Sequence, residues 1–365
     1  MAKIKEFLKR KNVIISTRRY GIDALGAMAQ GLFCTLLVGT ILNTLGQQLN
    51  IGFLNQIIVG TYTIGGLAVA MVGPGIAIAI GFALNAPPLV LFSLIPVGFA
   101  ANGMGGAGGP LAVYFVAILA TELGKVVSKE TKIDILVTPI VTILAGVGFA
   151  ALVAAPIGTA ANAVGQAIMW ATELQPLLMG IAVSVLVGIA LTLPISSAAI
   201  CASFGLVGLA GGAAVAGCCA QMIGFAVMSF KENRWGGLVA QGLGTSMLQM
   251  PNIVKNPRIW IPPILTSAIT GPLATCVFQL KMNGAAVNSG MGTCGLCGQI
   301  GVWTGWISPS EVALKAGEVA INPGVMDWVG LALICFFLPA VLSLIFCEIL
   351  RKIGWIKEND LKLVL

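Results

Sequence analysis

Long apolar stretches follow one another along almost the whole chain, at approximately 21–45, 51–72, 74–100, 110–127, 133–155, 176–193, 195–229, 258–281 and 326–350. A helix needs roughly 20 mostly apolar residues to cross a bilayer core. Only 9% of the 365 residues are charged and 58% are hydrophobic, whereas a soluble domain carries roughly 25% charged residues. The expected fold is an all-α integral membrane protein of about ten transmembrane helices. The stretch 195–229 is long enough for two short crossings around Gly211 and Gly212. No room is left for a separate soluble domain.

The charges fall between the apolar stretches in an orderly way. Lys3, Lys5, Lys9, Arg10, Lys11, Arg18 and Arg19 precede the first, and Arg351, Lys352, Lys357 and Lys362 follow the last. Cytoplasmic segments collect Lys and Arg, so both termini are expected inside, with an even number of crossings. Residues 1–20 read as a basic cytoplasmic tail and not a signal peptide, because no apolar run ends in a small-residue cleavage site. The membrane domain is expected over 21–350, with a C-terminal cytoplasmic tail over 351–365. Lys125, Lys129 and Lys132 mark one inside loop, and Lys231 and Arg234 another. The segments 43–50 and 156–175 hold no Lys or Arg and are placed outside. The second carries Asn162, Gln166 and Glu173 among Ala, Ile and Trp170, the pattern of a helix lying on the membrane surface. The net charge of +7 is read as an orientation signal with a secondary attraction to anionic lipid. Nucleic acid is not an expected partner.

Several chemistries are excluded. The chain has no histidine, which removes Ser-His-Asp and Cys-His catalysis, histidine metal sites and phosphorylation on a histidine of this chain. Cys34, Cys201, Cys218, Cys219, Cys335 and Cys347 sit in apolar segments, where thiols behave as small hydrophobes. Cys294 and Cys297 form a lone CxxC, read as packing and not as a metal or redox centre. No phosphate-binding GxxxxGK[ST] loop is present. No catalytic residue, metal or cofactor is expected. Asp23, Glu122 and Glu173 lie near the ends of apolar stretches and read as interfacial, while Glu311 and Glu318 fall in a polar segment, 307–323, read as a loop.

Three segments are poor continuous helices: the Asn85-Ala-Pro-Pro88 break, NGMGGAGGP at 102–110, and GAAVNSGMGTCGLCGQIG at 284–301. Glycine in a helix costs roughly 1 kcal/mol against alanine. Non-helical backbone at membrane depth survives only when buried in protein or lining a watery cavity. Helix packing through small residues such as Gly105 and Gly109 is the plainer alternative. The most polar embedded region is 241–302, which places amides and hydroxyls among apolar residues. Such groups donate and accept hydrogen bonds and suit a neutral, polyhydroxylated ligand. The candidate solute-binding residues are Thr245, Ser246, Gln249, Asn252, Asn283, Asn288, Thr293 and Gln299, with Ser196 and Ser197 after Pro194, and Asn102 in the first glycine run.

These motifs resemble a family. KNPRIWIPPIL at 255–265 is similar to the Asn-Pro segment of the enzyme IIC membrane subunits of the bacterial sugar phosphotransferase system, of the glucose superfamily type. NGMGGAGGP at 102–110, GGLVAQGLGTSMLQMPNIVKNP at 236–257 and MNGAAVNSGMGT at 282–293 more closely resemble a divergent IIC-type family that includes the perfringolysin regulator. The resemblance implies about ten spans, a surface helix after the fifth and two re-entrant hairpins in the second half. It also implies a homodimer, with a scaffold part at about 21–155 and a transport part at about 176–306 that moves as an elevator. Separate IIA and IIB chains would be the partners, and the bacterial inner (plasma) membrane the location. Sugar-carrying members use a Thr-Glu-Pro motif to offer a carboxylate; here the stretch reads Thr245-Ser-Met-Leu-Gln-Met250, without glutamate.

Two functions are expected on these grounds. One is a permease that binds and translocates a small polar solute, a sugar among the candidates. The other is a membrane-embedded regulator or sensor that binds a ligand without moving it.

Overall fold

The computed structural model describes residues 2–363, with side chains from Glu6 onward. Among the described residues there are helices and two isolated antiparallel bridges, Val59 with Tyr62 and Gly208 with Met282, but no strand. Six stretches are long and apolar enough to cross a membrane: Arg19–Gln48, Pro88–Val127, Asp134–Thr172, Gly208–Met228, Pro257–Val277 and Val325–Lys352. A seventh candidate is the pair Ile64–Ala70 and Val72–Ala83, bent by 55° at Met71. Pro176–Thr192 is a shorter apolar helix. The chain divides into two compact units, one of residues 1–40 and 57–160, the other of residues 41–56 and 161–365.

In the first unit the stretch Pro88–Val127 is folded back on itself. A Cβ on Gly124 would stand 2.7 Å from Val90, and one on Gly109 would stand 2.6 Å from the Asn102 carbonyl oxygen. These pairings run in opposite senses, so Pro88–Gly105 and Gly109–Val127 form an antiparallel helical hairpin. At 1.5 Å per residue, arms of 18 and 19 residues are each about 28 Å long, close to the thickness of a hydrocarbon core. The glycine run 102–110 is the elbow. Gly106 turns the chain at φ 52°, ψ −125°, a conformation that only glycine adopts without strain. The break at Asn85–Pro88 is present as expected: one helix ends at Ala83 and the next starts at Pro88, where a proline at the first helical position costs no hydrogen bond.

The separate surface helix expected over 156–175 is not a separate element. Pro156 lies inside one helix, Asp134–Thr172, which also contains Pro139. Proline inside apolar helices survives where neighbouring groups take up the freed carbonyl. At 39 residues this helix is about 58 Å long, nearly twice the core thickness, so only part of it can lie in hydrocarbon. Leu136, Ile140, Leu144 and Leu152 fall on its i, i+4 repeat and are 53–74% exposed. An exposed apolar stripe of this kind marks a surface that meets lipid or another protein.

Lys125 does not sit in a loop. It is buried in the last turn of its hairpin arm, where its ammonium pairs with Glu122 at 2.8 Å and donates to the Leu84 carbonyl at 3.1 Å. The basic N-terminal segment is also built in. Residues Ala2–Arg10 are helical, Arg10 and Lys11 pair with Glu130, and Arg19 donates to Asn12 and to the Leu84 carbonyl.

The second unit is built around Gly208–Met228, the most deeply buried of the candidate spans. Its glycines let neighbours approach: a Cβ on Gly217 would stand 1.9 Å from the Ser184 carbonyl oxygen of Pro176–Thr192. Gly211 and Gly212 lie within this helix and do not divide it. The break falls earlier, at 204–207. There Gly205, at φ +61°, ends Ser197–Ser203 in the left-handed conformation and Val207 is extended. Val215, Ala216, Cys219, Leu280, Met282, Val302, Trp306, Ile334 and Cys335 form the core beside it.

Candidate functional site

The two broken segments expected in the second half both pack on the central helix. The first runs through Phe230–Val239 and Ala240–Gly244, opens at Thr245 (φ −159°, ψ 142°), and continues through Ser246–Gln249 and Met250–Lys255. The second runs through the short turns Ala286–Gly290 and Cys294–Leu296 into the helix Cys297–Ile307. Their tips, Ala240–Gly244 and Cys294–Leu296, are neighbours. The non-helical backbone is therefore buried in protein, as membrane depth demands.

The polar residues form three groups. The first lies at the start of the central helix. Glu318 accepts the Lys281 ammonium at 2.8 Å and, on the same oxygen, the Asn283 amide at 3.4 Å. Its other oxygen faces Gly208, the first residue of the helix Gly208–Met228, where the helix dipole favours negative charge. Asn283 is 1% exposed, and its Oδ1 is buried and accepts no hydrogen bond from the protein. A buried polar atom left so costs about 1–3 kcal/mol.

The second group surrounds Gln221 on the central helix. Its Oε1 accepts from the Thr192 hydroxyl at 3.2 Å and the Trp260 indole at 2.9 Å, and Thr192 shares a 2.8 Å hydrogen bond with Ser246. The Gln221 Nε2 is buried and donates to no protein atom. Gln299, on Cys297–Ile307, donates to the Cys219 sulfur at 3.1 Å while its Oε1 is likewise buried without a donor.

The third group is a chain of amides. Asn252 donates to Gln249, Gln249 to Gln241, and Gln241 to Ser229, at 2.8, 2.8 and 2.7 Å. Gln249 and Asn252 use their remaining N–H bonds on the carbonyls of Leu361 and Lys362 in the C-terminal segment.

The remaining candidates make local bonds. The Ser196 hydroxyl caps Ser197–Ser203 by accepting from the Ala199 N–H, and Ser197 donates to the Gly290 carbonyl at 2.8 Å. Thr245 accepts from the Met247 N–H, and Thr293 donates to the Met222 sulfur. Asn288 is 2% exposed and packs against Gly301. Asn102 belongs to the first unit, at the elbow of the helical hairpin.

Sequence reasoning passed over Gln221, Lys281, Trp260 and the inward reach of Glu318. A lone amide in the apolar run 208–228 was a usable signal for Gln221. Glu318 carried none, because its partners lie 35 and 37 positions away.

Residues 22–363 match the family model described as "Phosphotransferase system, EIIC". No curated protein matches the chain. No solved structure matches it either.

Proposed function

The chain belongs to the phosphotransferase system EIIC family, and on that premise we propose that it binds and translocates a small, neutral, polyhydroxylated solute, a sugar being the first candidate. It is a multi-pass membrane component of that system. The observation that carries the solute proposal is Asn283, whose buried Oδ1 has no protein donor and whose amide touches the Glu318 carboxylate. The solute's hydroxyl groups would donate to Asn283 Oδ1 and Glu318; Gln221 lies 13 residues, about 20 Å, further along the central helix than Gly208, beyond the reach of the same small solute. Glu318 takes the role that family members give to the glutamate of the Thr-Glu-Pro motif, which this chain lacks.

A phosphoryl group would have to come from separate IIA and IIB chains, since this one has no histidine. The proposal includes a homodimer in the bacterial plasma membrane with both termini cytoplasmic, supported by the Lys and Arg at each end. The two broken segments would act as re-entrant hairpins of the moving part.

The test is a thermal-shift screen of the detergent-purified protein against sugars, polyols and nucleosides. A ligand at a hundredfold excess over Kd adds about 2.7 kcal/mol to folded-state stability. The expected result is a hit that is lost in Asn283→Leu and in Glu318→Gln. A hit unchanged in both variants would overturn the site. The absent glutamate in 245–250 favours a second reading, a sensor that binds without transport. Binding without flux in proteoliposomes would select it.

A further inference from the structure

Beyond Lys352 the chain turns at Gly354 (φ +80°) and runs back over the segment that begins at Ser229. Asn233 holds this run at two points, donating to the Leu361 carbonyl and accepting from the Leu363 N–H, both at 2.8 Å. Gln249 and Asn252 donate to the carbonyls of Leu361 and Lys362 at 3.0 and 2.9 Å. Asn256 donates to the Trp355 carbonyl and to Asp360, and the Arg258 guanidinium lies 5.1 Å over the Trp355 ring. Ile356, Leu361 and Leu363 are 2%, 0% and 9% exposed. The segment is itself turned, with the Asp360 N–H on the Lys357 carbonyl and the Lys362 N–H on the Asn359 carbonyl, so the groove holds its main chain through side-chain amides.

The seat is not close-packed throughout. A cavity of about 400 Å³ remains beside the turn, lined by Lys231, Glu232, Arg351, Glu358 and Asn359. Only Ile356, Leu361 and Leu363 of the nine residues 355–363 are buried, and an element with so few apolar anchors belongs to the low-stability end of a fold.

We propose that this amide-lined groove is a peptide-binding site, that its resident ligand is the chain's own segment 355–363, and that the segment leaves as a unit while the rest of the fold stays intact. Gln249 and Gln241 lie on either side of the extended Thr245 and are bonded to each other, so occupancy of the groove is wired to the first broken segment.

The test uses the full chain with a specific protease sequence inserted at the exposed Gly354, folded and purified in detergent before cutting. The cut protein is expected to keep its melting temperature to within a few degrees and to bind a fluorescein-labelled peptide of residues 355–363 saturably. A peptide carrying Leu361→Asp should bind at least tenfold more weakly, and Asn233→Ala in the protein should weaken binding severalfold. Absence of saturable binding to a cut protein that still melts normally overturns the proposal, as does unfolding on cutting. In the unmodified chain, hydrogen exchange at Leu361 and Leu363 should be at least tenfold faster than in Gly208–Met228. Equal protection of the two would mean that the segment never leaves alone, and would also overturn it.

Discussion

Lys281 and Glu318 stand 37 positions apart, yet their side chains close to 2.8 Å, and the carboxylate oxygen they share also meets the Asn283 amide. Lys281 is the more exposed of the pair, at 37% against 18% for Glu318. An ion pair in that setting contributes at most about 1 kcal/mol to stability. Its consequence for the site is larger, because it fixes the carboxylate against the buried Asn283 amide.

Glu318→Gln should therefore melt within a few degrees of the native protein while solute affinity falls tenfold or more. Lys281→Met should cost less than about 1 kcal/mol, by the same exposure argument. Both are read by thermal unfolding in detergent with and without ligand. A loss above about 3 kcal/mol for Lys281→Met would make the pair structural, of the kind seen when one member of a buried pair is removed.

Gly217→Ala should destabilise the second unit by about 1–3 kcal/mol, the usual range for overpacking. Its new Cβ would stand 1.9 Å from a backbone oxygen of Ser184, which cannot rotate away. Gly103→Ala is the control: nothing lies within 4 Å of that position, and its melting temperature should hold or rise.

Gln221→Leu should cost about 1–3 kcal/mol, the penalty for leaving buried donors unpaired. The Trp260 indole loses its acceptor, and the Thr192 hydroxyl loses one of the acceptors in its reach. Thermal unfolding of the single variant and of Gln221→Leu with Thr192→Val checks it: the double variant should recover part of the loss.

Acid should loosen the N-terminal helix. The hydrogen bond from Lys11 to Glu130, with the charges of Lys11 and Arg10, holds this carboxyl below its ordinary value of 4.5. A depressed carboxylate contributes stability that is complete above the ordinary value and is lost as pH falls through the lowered one. The protection factors of amides in residues 6–12, taken against the intrinsic exchange rate at each pH, should therefore be constant above pH 4.5 and fall below it. In Glu130→Gln that dependence should vanish, with protection low at every pH. Raised salt should speed exchange in the native protein as well, because the pair is exposed and screened.

Much of the architecture was legible in the residues. Runs such as 326–350 and 133–155 are long enough and apolar enough that no fold but a helix in a bilayer satisfies their backbone. That requirement is local, so the break between Ala83 and Pro88 and the broken character of 284–301 could be read directly, whereas a break near 236–252 was implied only by the family resemblance. Tertiary structure alone decided which breaks take effect. Pro156 stays within a 39-residue helix, whereas the chain breaks at Gly205 and not at Gly211. Proline and glycine permit a break, and packing decides whether one occurs.

The polar site divides in the same way. Composition alone marked 241–302 as too rich in amides for simple helix contacts. It did not say which amide faces what, because a hydrogen-bond partner is set by the chain's path and not by local spacing. Gln249 and Asn252 proved to be engaged by Leu361 and Lys362, more than 100 positions away, while Asn283 and Gln299 keep buried oxygens that no protein group reaches. The sequence by itself determined that this is a helical membrane protein with a polar interior. The tertiary structure decided which polar groups hold the protein together and which keep unmet hydrogen-bonding capacity, since satisfaction of a buried amide is a property of three-dimensional neighbours.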